Sequence, residues 1–412
     1  MDQYTIRPNR TVVTSFVTHS TPSASSSYDD GNYVLHVTNT KPQSTKQLLS
    51  CALSNQSVLT YDRETLKKVH SIENCHHQAI SDLTFTQIQN TPMVVTSSLD
   101  GTVKIFDLRA NPILNEKGVA QAAFEMKVPD HQALSVSIGY NGNLSAVGSS
   151  KGHVHFFDLR NISSAPQIGM NDDVTTPLGT YVDAHTEEVT RVRFQNVVGS
   201  NGYDTTPLLV TAGEDGLACI HDTSQPSEEA ALRSVLNVQS PLRDVNFFGP
   251  SLEGIYCLTG SETMSVWHHD SAQRMSDYGD IRNMLSTNAG IEINYLVGCH
   301  WDGSELNLIA GNTQGDCAMF QVEANSISVK RLLKGGHKSS CIRDFVVSPL
   351  DRSIVTAGED SRLCEWKLIK PINTTPNLNV RASYSSEKES INPKEGGGRI
   401  KKQKSKKSHA PY

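Results

Sequence analysis

The chain has 412 residues, 37% hydrophobic and 6% aromatic, with a mean hydropathy of −0.37. No apolar run approaches the roughly 20 residues that a membrane-spanning helix needs, and the first twenty residues lack the apolar core of a secretory leader, so the sequence points to the cytosol or nucleus and away from a membrane. Net charge is −6, but residues 371–412 hold nine Lys or Arg against three Glu, a local +6 that leaves −12 on the preceding residues: an acidic body with a basic tail.

Taken in order, residues 11–17 (Thr-Val-Val-Thr-Ser-Phe-Val) read as a strand, residues 18–32 as a Ser- and Pro-rich loop too polar to pack, and residues 33–38 as a second strand. From there the chain is organised by one recurring pattern. Residues 93–109, Met-Val-Val-Thr-Ser-Ser-Leu-Asp-Gly-Thr-Val-Lys-Ile-Phe-Asp-Leu-Arg, place two β-branched runs on either side of Asp100-Gly101, a hairpin signal because Gly accepts the positive φ of a tight turn. Variants recur at residues 146–160, 209–222 and 354–367, with weaker copies at 49–62, 256–268 and 308–321. Seven copies at a mean spacing of about 51 residues predict one repeat array of four-stranded units.

Each unit opens on a first strand: residues 80–85 after His76, 136–138 after His131, 189–194 after His185, 242–247, 295–301, and 342–347 after His337. Residues 195–207 and 270–294 read as loops by composition, the second as an insertion between units with one short helical turn around 276–285. The last unit lacks a fourth strand after Trp366, and residues 11–17 are expected to supply it, closing the array into a ring without a free sheet edge. The expected architecture is therefore all-β: a seven-bladed propeller over residues 1–370, then a disordered basic tail over 371–412.

The order His, apolar strand, Thr-Ala-Gly-Glu-Asp, strand, Trp or Phe, Asp resembles the WD-repeat β-propeller family across residues 11–370. The resemblance implies a hydrogen-bonded tetrad in each well-matched blade. In blade seven these are His337, Thr356, Asp360 and Trp366. Blade two has His76, Thr96 and Asp100, with Phe106 where Trp is expected, and Phe has no N–H to donate. Blade four has His185, Thr211 and Asp215, with His221 at the Trp position. The segment Tyr278-Gly279-Asp280-Ile281-Arg282 with Tyr295-Leu296-Val297-Gly298 narrows the resemblance to a group of intracellular scaffolds.

No Gly-x-x-x-x-Gly-Lys-Ser/Thr, Gly-x-Ser-x-Gly or His-Glu-x-x-His motif is present, so no catalytic constellation and no cofactor are expected. The pairs His76-His77, His153/His155 and His268-His269 invite a metal, but His76 falls with His185 and His337 at the structural position of the repeat, and no metal site is assigned. The eight cysteines are scattered without a Cys-x-x-Cys pair and read as buried thiols of a reducing compartment.

Function is therefore sought in binding to other proteins by a monomeric ring. The family resemblance places Arg243, Arg343, Glu214 and Glu359 on the top face near the channel, a rim able to grip a charged peptide. Phe-Asp-Leu-Arg occurs twice and resembles the motif by which some WD-repeat proteins dock on the adaptor of a cullin-type ubiquitin ligase. Asp107 with Arg109, and Asp158 with Arg160, would then mediate docking of a substrate receptor. In the tail, Lys401, Lys402, Lys404, Lys406 and Lys407 fit a nuclear-import cluster, with weak non-specific contact to RNA phosphates as a secondary capacity. The leading expectation is a nuclear or nucleocytoplasmic scaffold for assembly of a larger complex, with ribosome maturation as the context that family analogy offers.

Overall fold

The computed structural model describes residues 5–13, 32–40, 47–88, 91–109, 114–115, 118–129, 131–160, 176–196, 206–348 and 352–367. These belong to one compact unit, Met1–Ile369. Seven antiparallel sheets follow one another in chain order, each with its strands in sequence from the channel outward. Blade one comprises Val34–Asn39, Leu48–Leu53, Val58–Asp62 and Lys68–Ile72. Blade two comprises Ile80–Ile88, Thr91–Ser98, Thr102–Asp107 and Phe124–Lys127, and blade three Ala133–Gly139, Leu144–Ser149, Val154–Asp158 and Gly179–Tyr181. Blade four runs through Val189–Phe194, Leu208–Gly213, Leu217–Asp222 and Leu232–Asn237. Blade five is built from Leu242–Phe248, Gly254–Thr259, Thr263–His268 and Gln273–Asp280; blade six from Tyr295–Trp301, Leu306–Gly311, Cys317–Glu323 and Ser326–Leu333. Blade seven has Ile342–Ser348, Ser353–Gly358 and Arg362–Lys367, and its outer strand is Arg10–Val13, in antiparallel register with residues 362–365. The molecule is a seven-bladed β-propeller.

The closing strand thus begins one residue before the predicted start at Thr11; residues 14–17 of the prediction lie outside the described residues. A second strap was not foreseen. Thr5–Ile6 adds a fifth, parallel strand to blade six, so the start of the chain engages two blades. Residues 270–294 also differ from expectation. They hold the outer strand of blade five, Gln273–Asp280, and the helix Arg282–Ala289, which ends on Gly290 in the left-handed region. Ile281, Leu285 and Ala289 recur every four residues on one face of this helix and are buried in the core between blades five and six.

Packing follows directly from the strand pattern. The second strands of all seven blades are buried throughout, save half-buried Pro92 in blade two and Leu144 in blade three, because each sheet is covered on both faces by its neighbours. Seven apolar clusters result, one in each cleft between consecutive blades, from Leu48, Val58, Val94 and Phe106 between blades one and two round to Leu49, Tyr61, Val355 and Leu363 between blades one and seven. The turn between second and third strands is equally regular, since one position adopts positive φ in every blade. It is Gly in blades two, three, four and six (Gly101, Gly152, Gly216, Gly315), and Gln56, Glu262 and Ser361 in blades one, five and seven. A side chain there costs about 1 kcal/mol; in blades one and five it is also what weakens the repeat's turn signature.

The ring closes over a buried charge cluster. The Glu365 carboxylate, fully buried, accepts from Arg10 Nε at 2.7 Å, Asn9 Nδ2 at 2.9 Å and Arg63 Nη1 at 2.8 Å, and Arg63 also donates to Ser353 Oγ. Burial alone would raise the acid, but the hydrogen bonds from Arg10, Asn9 and Arg63 outweigh it and hold the carboxyl at about 2. Three separated pieces of chain, the N-terminal strand, the blade-one turn and the last strand, meet at this one side chain.

Candidate functional site

Blade seven builds its tetrad in full. His337 Nδ1 lies 2.8 Å from Asp360 Oδ1, His337 Nε2 lies 2.8 Å from Thr356 Oγ1, and Trp366 Nε1 donates to the same hydroxyl at 2.9 Å. Asp360 Oδ2 accepts from the backbone of Lys338 at 2.9 Å, so the carboxylate clips the loop before the blade onto the turn inside it. Burial pushes Asp360 up, yet the bonds from His337 and Lys338 bring it below the ordinary carboxylate range. The Gly of Thr-Ala-Gly-Glu-Asp has a steric cause: a Cβ on Gly358 would stand 2.5 Å from His337 Nδ1, and one on Gly213 2.5 Å from His185 Nδ1.

In blade four, His185 reaches Asp215 at 3.1 Å and Thr211 at 2.8 Å, and His221 stands in for Trp by placing Nε2 3.4 Å from Thr211 Oγ1. Blade two joins His76 to Asp100 at 3.2 Å and to Thr96 at 2.7 Å; Phe106 fills the Trp position as a buried apolar ring. Blade five keeps only the Trp of this set, Trp267, and lacks the His, Thr and Asp. A hydroxyl chain replaces them, with Thr259 Oγ1 2.6 Å from Thr263 Oγ1 and 3.0 Å from Ser261 Oγ, while Trp267 donates to Ser265 at 2.9 Å. All these contacts tie loops to sheets.

The channel is lined through a second device, missed from sequence. Each innermost strand shifts register near its start, and the residue after the shift turns inward: His36, Asp82, Ser135, Arg191, Asp244, Gly298 and Asp344 in blades one to seven. Several stitch neighbouring blades. Asp82 accepts from Ser135 Oγ at 2.7 Å and from the Val136 backbone; Ser135 Oγ accepts from the Val192 backbone at 3.2 Å; and Asp344 accepts from the Val37 backbone at 2.8 Å. Arg193 pairs with Asp82 at 3.0 Å. Burial and the nearby guanidinium groups act in opposite senses on Asp82, and the guanidinium groups prevail, leaving it well below the usual range. Asp344 has no such close partner, and burial raises it to about 7. Only the positions after the bulges reveal this ring, and the bulges carry no composition signal.

Of the four predicted rim residues, the structure brings two together. Arg343 Nε donates to Glu359 Oε1 at 2.6 Å on the exposed face. Glu214 is exposed at the equivalent position of blade four. Arg243 instead turns along the channel wall, donating through Nη2 to Leu296 O at 2.7 Å and so joining blade five to blade six. The two Phe-Asp-Leu-Arg motifs end the third strands of adjacent blades and therefore lie on one face. Arg109 is 53% exposed and folds back on Asp107 at 2.7 Å; Arg160 is 67% exposed and reaches Asp158 through Nε at 2.9 Å. The same fork occurs where no docking was expected, at Asp280 and Arg282, 2.6 Å apart at the end of a fourth strand and thus on the opposite face. Among the described residues no three His, Cys, Asp or Glu side chains gather as a metal site, and all eight cysteines are unpaired. Lys401, Lys402, Lys404, Lys406 and Lys407 lie outside the described residues.

With the ring, its clips and its channel established, the class is defined by its fold: a seven-bladed β-propeller that carries a WD repeat and is similar to WD-repeat proteins. A WD domain, G-beta repeat, matches residues 66–107. That span runs from the outer strand of blade one through three strands of blade two, so each sequence repeat straddles two blades. The chain is similar to the WD repeat-containing protein 89 homolog of Dictyostelium discoideum, 28% identical over 82% of this chain and 83% of the relative. It is also similar to the WD repeat-containing protein GTS1 of Arabidopsis thaliana, 25% identical over 77% and 78%. Among solved structures, a chain from the crystal structure of the mitotic checkpoint complex superposes with a TM-score of 0.59 at 14% identity, covering 88% of this chain and 95% of that one, a likeness of fold.

Proposed function

We propose that this protein is a non-enzymatic scaffold of the nucleus and nucleocytoplasm that holds other proteins during assembly of a larger complex, with ribosome maturation as the context. The observation that carries this reading is the ring itself. The His, Thr and Asp of its clips are engaged in joining loops to sheets, whereas Arg343, Glu214, Arg109 and Arg160 stand on its exposed faces, Arg343 with half-buried Glu359 beside it. A rigid frame carrying charged loops is suited to grip partners without changing them. The Lys401–Lys407 cluster supports the nuclear part of the reading by its composition.

Recovery of the full-length protein from cells, with identification of what accompanies it, tests the reading: preribosomal or chromatin proteins are expected. Deleting residues 399–407 should shift the protein toward the cytoplasm, and an unchanged nuclear signal would remove the import assignment. The placement of Arg109 and Arg160 on one face of adjacent blades favours a second reading, a substrate receptor of a cullin-type ligase. A cullin adaptor that co-purifies and is lost in Arg109→Ala with Arg160→Ala would establish it. Recurrence of the same Asp-x-Arg fork at Asp280 and Arg282 weighs toward a structural role for the motif.

A further inference from the structure

We propose that the channel wall between blades four and six is a binding site for a carboxylate carried on a slender aromatic or apolar stem. The site is one side of a cavity of about 300 Å³ lined by the innermost strands of six blades, in which Arg191, Arg193, Arg243 and Arg343 outnumber the carboxylates of Asp82, Asp244 and Asp344. That volume is at the lower end for ligand sites and suits a small acid or a single peptide side chain.

Two features point to an anion at this place. The first is Gly298. Six of the seven equivalent positions carry a polar side chain, and blade six alone has none. Gly298 is not in the left-handed region, so backbone conformation does not require a glycine. A Cβ there would stand 3.3 Å from the Phe345 ring and 3.6 Å from Asp244 Oδ2. The wall is therefore cut back where its neighbours are filled.

The second feature is Arg191, on the same cavity. Its nearest acceptors are Thr190 O at 3.5 Å and Asp244 at 3.7 Å, and its Nε is buried without an acceptor. Arg193, two residues on, has Asp82 at 3.0 Å, Ser135 Oγ at 3.1 Å and Val192 O at 2.8 Å. One guanidinium has three close acceptors, all on Nη1, and its neighbour has none nearer than 3.5 Å. Arg243, also on this wall, has its own Nε buried without an acceptor. A planar fork whose Nε is buried while the rest of the side chain is 23% exposed is matched by a carboxylate, which takes two parallel hydrogen bonds. The stem has a place as well. A second cavity of about 190 Å³ is walled by Phe194, Phe247, Tyr256 and Trp301, and Cys299 and His300 line both cavities.

This inference goes beyond the scaffold reading and fails separately from it, because it concerns purified protein and a defined ligand. The full chain is titrated by calorimetry with 3-phenylpropionate and with the capped peptide acetyl-Gly-Phe-Asp-Gly-amide, each beside its neutral counterpart, 3-phenylpropionamide or the Asn peptide. Trp301 fluorescence supplies a second readout, since Trp267 and Trp366 are buried elsewhere. At least one acid is expected to bind, about tenfold or more tightly than its amide, and Arg191→Gln should weaken it by a similar factor. Gly298→Asp, which gives blade six the side chain of blades two, five and seven, should abolish binding and, with its Cβ 3.3 Å from the Phe345 ring and its carboxylate beside Asp244, lower the melting temperature; Arg243→Gln, expected to weaken binding as well, keeps the test decisive if either other variant misfolds. Binding of the small acid alone assigns a free carboxylic acid as ligand; binding of the peptide alone assigns an acidic side chain of a protein partner. Equal affinity for acid and amide, no binding of either acid, or undiminished binding by folded Arg191→Gln or Gly298→Asp overturns the proposal.

Discussion

Blade seven and blade five have the same four strands in the same order, but they hold their turns by different means. Blade seven uses a charged clip, Asp360 to His337 to Thr356 to Trp366, and beside it the Glu365 cluster that closes the ring. Blade five uses neutral hydroxyls, with Thr259 at the centre. Sheet formation in this protein does not depend on the tetrad, because apolar clefts on both faces of each blade already fix the strands. The charged groups add rigidity where the chain's two ends must be kept together.

The largest effect should come from breaking that closure. Glu365→Ala leaves Arg63 buried opposite no carboxylate, and a loss of about 3–5 kcal/mol is expected from denaturant titration, as for other buried pairs deprived of one partner. The same cluster sets an acid limb. Because the folded carboxyl sits at about 2, below its ordinary 4.5, its contribution is complete above the ordinary value and is lost as pH falls toward 2. Glu365→Gln should flatten that part of the stability profile; an unchanged acid limb would assign acid sensitivity to other carboxylates.

Next in size is the clip itself. Asp360→Ala removes the acceptor of a buried His and of the Lys338 backbone, and a loss of roughly 2–3 kcal/mol is expected by the same measurement. Ser261→Ala in blade five removes a part-exposed neutral hydroxyl and should cost only about 0.5–1 kcal/mol. If the two variants proved equal, the contrast between the blades would be one of appearance alone. The smallest change is a gain: Gln56→Gly, at a positive-φ turn position that four blades give to glycine, should stabilise by about 0.5–1 kcal/mol, read as a rise in melting temperature.

The architecture was legible because turns and strands alternate at a steady interval, and the Asp-Gly pairs at Asp100 and Asp215 mark the turn directly. Blades one and five were faint for a physical reason: their turn residues, Gln56 and Glu262, adopt the backbone conformation of glycine without being glycine. The segment 270–294 misled because the strand Gln273–Asp280 is largely exposed and shows little apolar alternation, while the helix after it shows its face only through Ile281, Leu285 and Ala289. For the site, His, Thr and Asp of the clips could be matched by order along the chain. Arg243 could not be placed, since its direction depends on a one-residue register shift that the sequence does not announce. The strap at Thr5–Ile6 is too short to stand out against flanking polar residues, whereas the closing strand Arg10–Val13 showed through its β-branched run from Thr11.

The closure of blade seven has a consequence for biosynthesis. Arg10 and Glu365 are 355 residues apart in sequence, so the strand Arg10–Val13 is synthesised long before the strand Arg362–Lys367 that it pairs with. Throughout that interval Arg10–Val13 has no sheet to join, and once Arg362–Lys367 is made its outer edge stays open to other chains until Arg10–Val13 docks. Any change that slows this docking would lengthen the exposed period.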